Sequence, residues 1–342
     1  MKIKFYLLLL LFCVGHVFTL KAQSVVALQR SGETHFFSGA DAFKLAYEAA
    51  SSGDTLFVSG GTYIVPETVN KLLMVFGAGH NPDYTKATGQ TIFSGDLVLA
   101  QGAAKSYFEG CLLLDKLIFS ENEKVDDLVF RRCRINGMID FIGNHTSENL
   151  CENTHFIECV FAPNSQNNFS HSKNTTISNS ICAGRFSNMN YATLSNCIFL
   201  TTGGSGAVFY SGAHCTVQNS VINANPYLYS NTNFTFKNNV FFKNVGLSSS
   251  HYYSDNYVGV ESEGFFVNQD GVSFGYTDNY NLSNPESYTG TDGTQVGVYG
   301  GMHPWKEGSI PMIPHISRKS ISHSVDADGN LKIEVDVSAQ EY

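Results

Sequence analysis

Residues 130–144, FRRCRINGMIDFIGN, place three arginines ahead of an aspartate that is bracketed by Gly137 and Gly143. A carboxylate such as Asp140 can attack an ester carbonyl. It then needs a second carboxyl group as acid, an oxyanion site, and a guanidinium to hold the nucleophile. An arginine can instead remove the acidic C5 proton of a uronate while a cation neutralises the sugar carboxylate. Arg131, Arg132 and Arg134 could supply that base, Arg132 and Arg134 being the candidates singled out, and Glu158 can pair with Arg132 or help to hold calcium. The catalytic candidates are therefore Asp140, Arg132, Arg134 and Glu158. No cofactor is otherwise implied, and calcium enters only if the chain is a lyase. On a regular strand Arg131 and Arg132 would face opposite ways.

A second set of side chains suits binding without chemistry. Residues 226–282 are rich in Tyr, Asn and Ser. Tyr227, Tyr229, Tyr252 and Tyr253 are the candidate substrate-binding residues, with Tyr257, Tyr276 and Tyr280 in the same stretch. Aromatic faces beside amides suit sugar rings, which offer C–H faces and hydroxyl edges, although the same tyrosines can equally pack over the body of the fold. No metal site is expected. DADGNLKIEVDV (326–337) has Leu331 and Val337 where a calcium loop needs its glycine and its bidentate glutamate, and reads as a turn followed by a strand.

The elements that must position these residues lie in an exported chain. MKIKFYLLLLLFCVGHVFTLKA has a Lys2/Lys4 start, an apolar run from Phe5 to Leu20 and a small residue at Ala22. This is the pattern of a secretory signal peptide over 1–22, and the run is shorter than the roughly 20 residues of a spanning helix. The expected location is secreted, periplasmic or cell-surface. Cleavage removes Lys2, Lys4 and Lys21 and no acids, leaving 18 basic against 30 acidic residues, a net of −12. Such a surface repels nucleic acid and anionic headgroups. Cys111, Cys133, Cys151, Cys159, Cys182, Cys197 and Cys215 remain, an odd set without a CxxC pair and so no disulfide framework.

A six-residue pattern recurs through the middle: LDKLIF (114–119), FRRCRI (130–135), FIECVF (156–161), ISNSIC (177–182), LSNCIF (194–199), VQNSVI (217–222) and FKNNVF (236–241). The spacing of 16 to 26 residues suits one coil of a parallel β-helix, with short strands joined by turns of varying length. Positions one and six are apolar or Cys and point inward, and position two is mostly polar and faces water. Asparagine at position three tolerates a left-handed bend, and a hydrogen-bonded ladder of these side chains is expected. Position four, Cys in three copies and Ser in two, reads as a small buried site. Position five is apolar in six copies although alternation turns it outward, so a loop or the C-terminal segment should cover it.

The ends read as caps. Residues 38–65 contain a short amphipathic segment with Phe43, Ala46, Tyr47 and Ala50 on one face, which can protect a terminal coil. AYEAASSGDTLFVSGGTY, YNLSNPES (280–287) and GTDGTQVGVYGGMHPWKEG (290–308) resemble the capping helix, first coil and closing coil of the pectin-lyase-like right-handed β-helix superfamily. Within it they are similar to exported bacterial β-helix proteins of unassigned function. The resemblance spans about 38–310 and implies an all-β, right-handed parallel β-helix with a short N-terminal capping helix. The expected organisation is a β-helix domain over 23–310 and a C-terminal extension over 311–342 whose hairpin packs on it.

FRRCRINGMIDFIG is also locally similar to pectin methylesterases, a resemblance that makes Asp140 the nucleophile. The family's Q-D-T motif is missing, with SENEKVDD (120–127) in its place, and His303 precedes Pro304-Trp305 where the family has arginine. Polygalacturonase-type clustered aspartates with Gly-His-Gly are absent too. The sequence thus points to contact with an extracellular or periplasmic polysaccharide without a complete catalytic set. The alternatives are a lyase or esterase acting on uronate-containing glycans, and a structural or adhesive surface protein.

Overall fold

The computed structural model describes residues 24–339 except 122, 144–147, 164–165, 201–206, 224–229, 244–248 and 270. The expected signal peptide, Tyr227 and Tyr229 lie outside the described residues. The chain forms a parallel β-solenoid with three long sheets of twelve, ten and six strands. From Tyr107 onward each coil runs from the twelve-stranded sheet round a one-residue corner into the ten-stranded sheet, and in the middle of the solenoid onward into the six-stranded one. Among the described residues no helix is long and apolar enough to cross a membrane.

Register follows the hexapeptide. Phe130 pairs with Phe156, then Ile177, Leu194, Val217 and Phe236 in the twelve-stranded sheet. Arg134 and Ile135 pair with Val160 and Phe161 in the ten-stranded sheet. Interior rings stack along the axis, as Phe108 on Phe130 at 5.2 Å and Phe130 on Phe156 at 5.3 Å. The first copy is misplaced by the sequence pattern, because Leu117–Phe119 pairs with Leu97–Leu99 and Ile139–Phe141 in the six-stranded sheet. The copy ahead of FRRCRI is FEGCLL, with Phe108 paired to Phe130 and Leu112 to Arg134. Any inward-outward alternation satisfies the pattern, so it does not distinguish one sheet of a solenoid from another.

Position three is the corner. Gly110, Arg132, Glu158, Asn179, Asn196, Asn219, Asn238 and Asp255 all have φ between 48° and 70°. A single left-handed residue redirects the strand, and Gly, Asn and Asp adopt that conformation at least cost. The expected asparagine ladder forms instead at position four. There Ser220 Oγ accepts from Cys197 N (3.1 Å), Asn239 Oδ1 from Ser220 N (3.0 Å) and Asn256 Oδ1 from Asn239 N (2.9 Å). The corner asparagines Asn179, Asn219 and Asn238 face outward and bond the segment that covers the solenoid. Asn179 Nδ2 donates to Val298 O (2.9 Å) and Gly300 O (2.7 Å), and Asn219 Oδ1 accepts from Thr291 N (2.9 Å). The seven cysteines are free and buried, and burial pushes the thiols of Cys111, Cys159 and Cys182 up, so they behave as compact apolar groups.

The apolar stripe at position five is covered. Ile181, Ile198, Val221 and Val240 form a second core with Phe265, Phe266, Tyr280, Leu282, Val296 and Val298. At the N-terminal end, helix Ala42–Ala49 buries Ala42, Phe43, Ala46 and Tyr47. Beside it, the antiparallel hairpin Val25–Arg30/Glu33–Ser38 closes the twelve-stranded sheet. Beyond Ile310 the chain divides. Buried Pro311 lies against Gly110, whereas the antiparallel hairpin His315–Ile321/Ile333–Ser338 is exposed over most of both strands.

Candidate functional site

Two of the four catalytic candidates come together. Arg132 Nε bonds Glu158 Oε2 at 2.9 Å, and Arg131 Nη2 bonds Glu158 Oε1 at 3.0 Å. Both guanidinium groups reach one carboxylate because the left-handed backbone at Arg132 breaks the alternation expected of a strand. Glu109 joins from the preceding coil, 3.5 Å from Arg132 Nη1, and accepts from Tyr107 OH at 2.8 Å. Arg132, Glu158 and Glu109 are each 1% exposed, so Arg132 meets two carboxylates out of water, and the partly exposed Arg131 supplies the second positive charge. The covering segment completes the network. Arg132 Nη1 donates to Ile310 O (2.8 Å), Met312 N to Glu109 Oε1 (3.0 Å) and Lys306 N to Glu158 Oε2 (3.2 Å). These contacts make the cluster a clasp for residues 306–312.

The other candidates stand apart. Arg134 Nε donates to Asn136 Oδ1 (2.8 Å), and its guanidinium lies 5.0 Å from the Tyr276 ring and 5.2 Å from Phe274. Asp140 projects from the six-stranded sheet, where it accepts from Asn168 Nδ2 (2.8 Å), and Asn168 accepts in turn from Asn188 (2.9 Å). Tyr252 is 67% exposed at the C-terminal end of the solenoid, while Tyr253 turns inward and stacks on Phe236 at 5.4 Å.

A cleft of about 370 Å³ opens beside Arg134, within the usual range for a ligand site. Three segments build it, the first remote in sequence from the other two: the turn at 81–84, residues 274–280, and residues 299–309. Tyr84, Phe274, Tyr276, Tyr280, Tyr299 and Trp305 give its aromatic walls, and Asn81, Asp83, Asp278, Asn279 and Glu307 its polar edges. Asn81 Oδ1 accepts from Asp83 N (2.9 Å) and shapes the first turn. Tyr84 OH donates to Glu307 Oε2 at 3.3 Å across the cleft. Gly308 is required there, since a Cβ would meet the Tyr84 ring at 2.5 Å. Asp278 organises the second segment, accepting from Gly275 N (2.6 Å) and Tyr280 OH (3.1 Å). Tyr276 OH donates to the buried His80 carbonyl at 2.9 Å.

Burial and neighbouring acids keep the phenols of the cleft protonated. Burial and then Glu307 raise the Tyr84 phenol, burial raises Tyr276, and burial followed by Glu307 pushes Tyr299 up to about 12. These hydroxyls therefore stay protonated at neutral pH and act as donors, not as the phenolate base of an elimination. Burial and the nearby Arg134 push His80 down to about 3, so it is neutral. Among the described residues no group of three His, Cys, Asp or Glu side chains is placed to hold a metal ion.

Tyr276 and Tyr280 belong to the tyrosine-rich stretch, and Trp305 to the Pro-Trp pair noted in the sequence. Tyr84 and Glu307 carried no signal beyond their place in irregular segments. Fold and site together define a β-solenoid with an aromatic, acid-edged cleft under its covering segment. No protein-family model matches the chain, and no curated protein matches it either.

Proposed function

We propose that the protein is an exported carbohydrate-binding β-solenoid that holds a glycan in the Tyr84–Trp305 cleft, within the pectin-lyase-like right-handed β-helix architecture. The observation that carries this reading is the convergence of six aromatic side chains with amide and carboxylate edges in one cleft. Ring faces suit the C–H faces of sugars, and the edges suit their hydroxyls. The export signal over 1–22 supports contact with glycans outside the cytoplasm.

Esterase or lyase chemistry draws less support. Arg132 and Glu158 are committed to the buried clasp, and Asp140 bonds Asn168 on another sheet. A glycan array probed with the mature protein, followed by calorimetric titration, tests the proposal. Trp305→Ala should cost about tenfold or more in affinity, and the exposed-site variant Tyr84→Ser should weaken the same ligands. Binding unaffected by both substitutions would remove the cleft from the account.

A further inference from the structure

The cleft does not end at its own wall. Phe274, Gly275 and Asp278 also line a second, shallower depression of about 740 Å³, bounded on its far side by Glu263, Val267 and Asn268. The residues shared by the two linings belong to the segment 273–278. Residue 275 on that turn is glycine, and a Cβ there would stand 2.7 Å from Asp278 Oδ1, so the close approach of the Asp278 carboxylate leaves no room for a side chain. On that far side Val267 is 57% exposed, an apolar surface beside amide groups. A ligand filling the first cleft therefore meets an open continuation rather than a closed end.

The charges of the two linings agree. Asp83, Asp278, Glu307 and Glu263 line them, and among the described lining residues there is neither lysine nor arginine. Lys86 pairs with Asp83 at 2.9 Å and Arg134 stacks behind Tyr276, and neither lines a wall. Like charge at short range opposes a chain that carries a carboxylate on every unit.

Resting on the cleft reading above, we infer that the groove takes the interior of a linear, uncharged glycan across the 273–278 turn and rejects polyuronates. One ring lies against Trp305 and Tyr84, and the chain continues over Gly275 towards Val267. Units beyond the first cleft add contacts, so affinity rises with chain length until both depressions are filled.

The experiment is calorimetric titration of the mature protein with gluco-, manno- and xylo-oligosaccharide ladders, from disaccharide to octasaccharide, beside oligogalacturonates of equal length. Val267→Glu alters the second depression at an exposed position, and Trp305→Ala alters the first. The expected result is at least about tenfold tighter binding of the longest members of one neutral ladder than of its disaccharide. Val267→Glu should erase that gain and leave disaccharide affinity unchanged, and oligogalacturonates should not bind. Length-independent binding, indifference to Val267→Glu, or preference for galacturonates would overturn this inference. If binding still required Trp305, the cleft itself would stand. Absence of binding by every ladder, or binding indifferent to Trp305, would instead bring down the cleft reading.

Discussion

Arg132 and Glu158 occupy the same corner of successive coils, both in left-handed backbone (φ 49° and 54°), and are joined by a 2.9 Å ion pair with 1% exposure on either side. Neighbouring corners use Gly, Asn or Asp, for which this conformation is cheap. An arginine and a glutamate there cost about 1–2 kcal/mol each in backbone strain, and the surrounding contacts must offset it. Glu158→Asn leaves Arg131 and Arg132 without their shared carboxylate, and should destabilise the fold by about 3–5 kcal/mol in chemical denaturation. Adding Arg132→Asn removes the buried charge and restores the usual corner residue. The double variant should therefore be more stable than Glu158→Asn alone. Additive losses would show that the pair is not coupled.

The corner asparagines fasten the covering segment. Asn219 accepts from Thr291 N through its side chain and from Gly297 N (2.7 Å) through its carbonyl. Asn219→Ala keeps the carbonyl but loses the side-chain contact and the tolerance for positive φ, a cost of about 2 kcal/mol. Hydrogen exchange should speed up in residues 289–301 before it does so in the strands. Lys237→Ala, at an exposed position two, should leave both stability and exchange unchanged.

The solenoid was legible because its physics is local and repeated. A coil that must bury positions one and six writes the same hexapeptide each time, and asparagine marks the bend. LDKLIF shows the limit, since the same alternation serves the six-stranded sheet. The need for a cover was visible in Ile181, Ile198, Val221 and Val240, while the residues that meet it, from Phe265 to Val298, share no period with them. The cleft was least legible, because Tyr84, Tyr276 and Trp305 converge only after the covering segment folds back over coils far away in sequence. Arg132 and Glu158 stood out for their types, and the same exceptional types serve a buried clasp.

Acid should loosen the protein through His80. Its ring is fully buried and neutral, held at about 3 against an ordinary 6.5 by burial and then by Arg134. Between these values the unfolded chain binds a proton that the folded chain does not, so unfolding free energy falls as pH drops through 6.5 towards about 3 and is unaffected by this group above 6.5. Thermal melts at intervals across that window should show the decline, and His80→Gln should flatten it. An equally steep decline in the variant would assign acid sensitivity to other groups.

Arg134 links that behaviour to the cleft. Its guanidinium supports the rings of Phe274 and Tyr276 from behind and contributes to the depression of His80. Arg134→Gln removes the charge and the broad stacking surface together, with two expected consequences. The His80 pKa should rise, though to a value still below 6.5, because burial, the larger cause, is unchanged. Melts in mild acid should then lose less stability than those of the parent protein. Tyr276, freed of its cation–π partner, should hold glycans several-fold more weakly, by roughly the 0.5–1 kcal/mol of such a contact. An NMR titration of the His80 ring and calorimetry on one protein sample read both effects. If the pKa moves while affinity does not, Arg134 sets the electrostatics of His80 without positioning the Tyr276 ring. If affinity falls while the pKa stays, its role is mechanical.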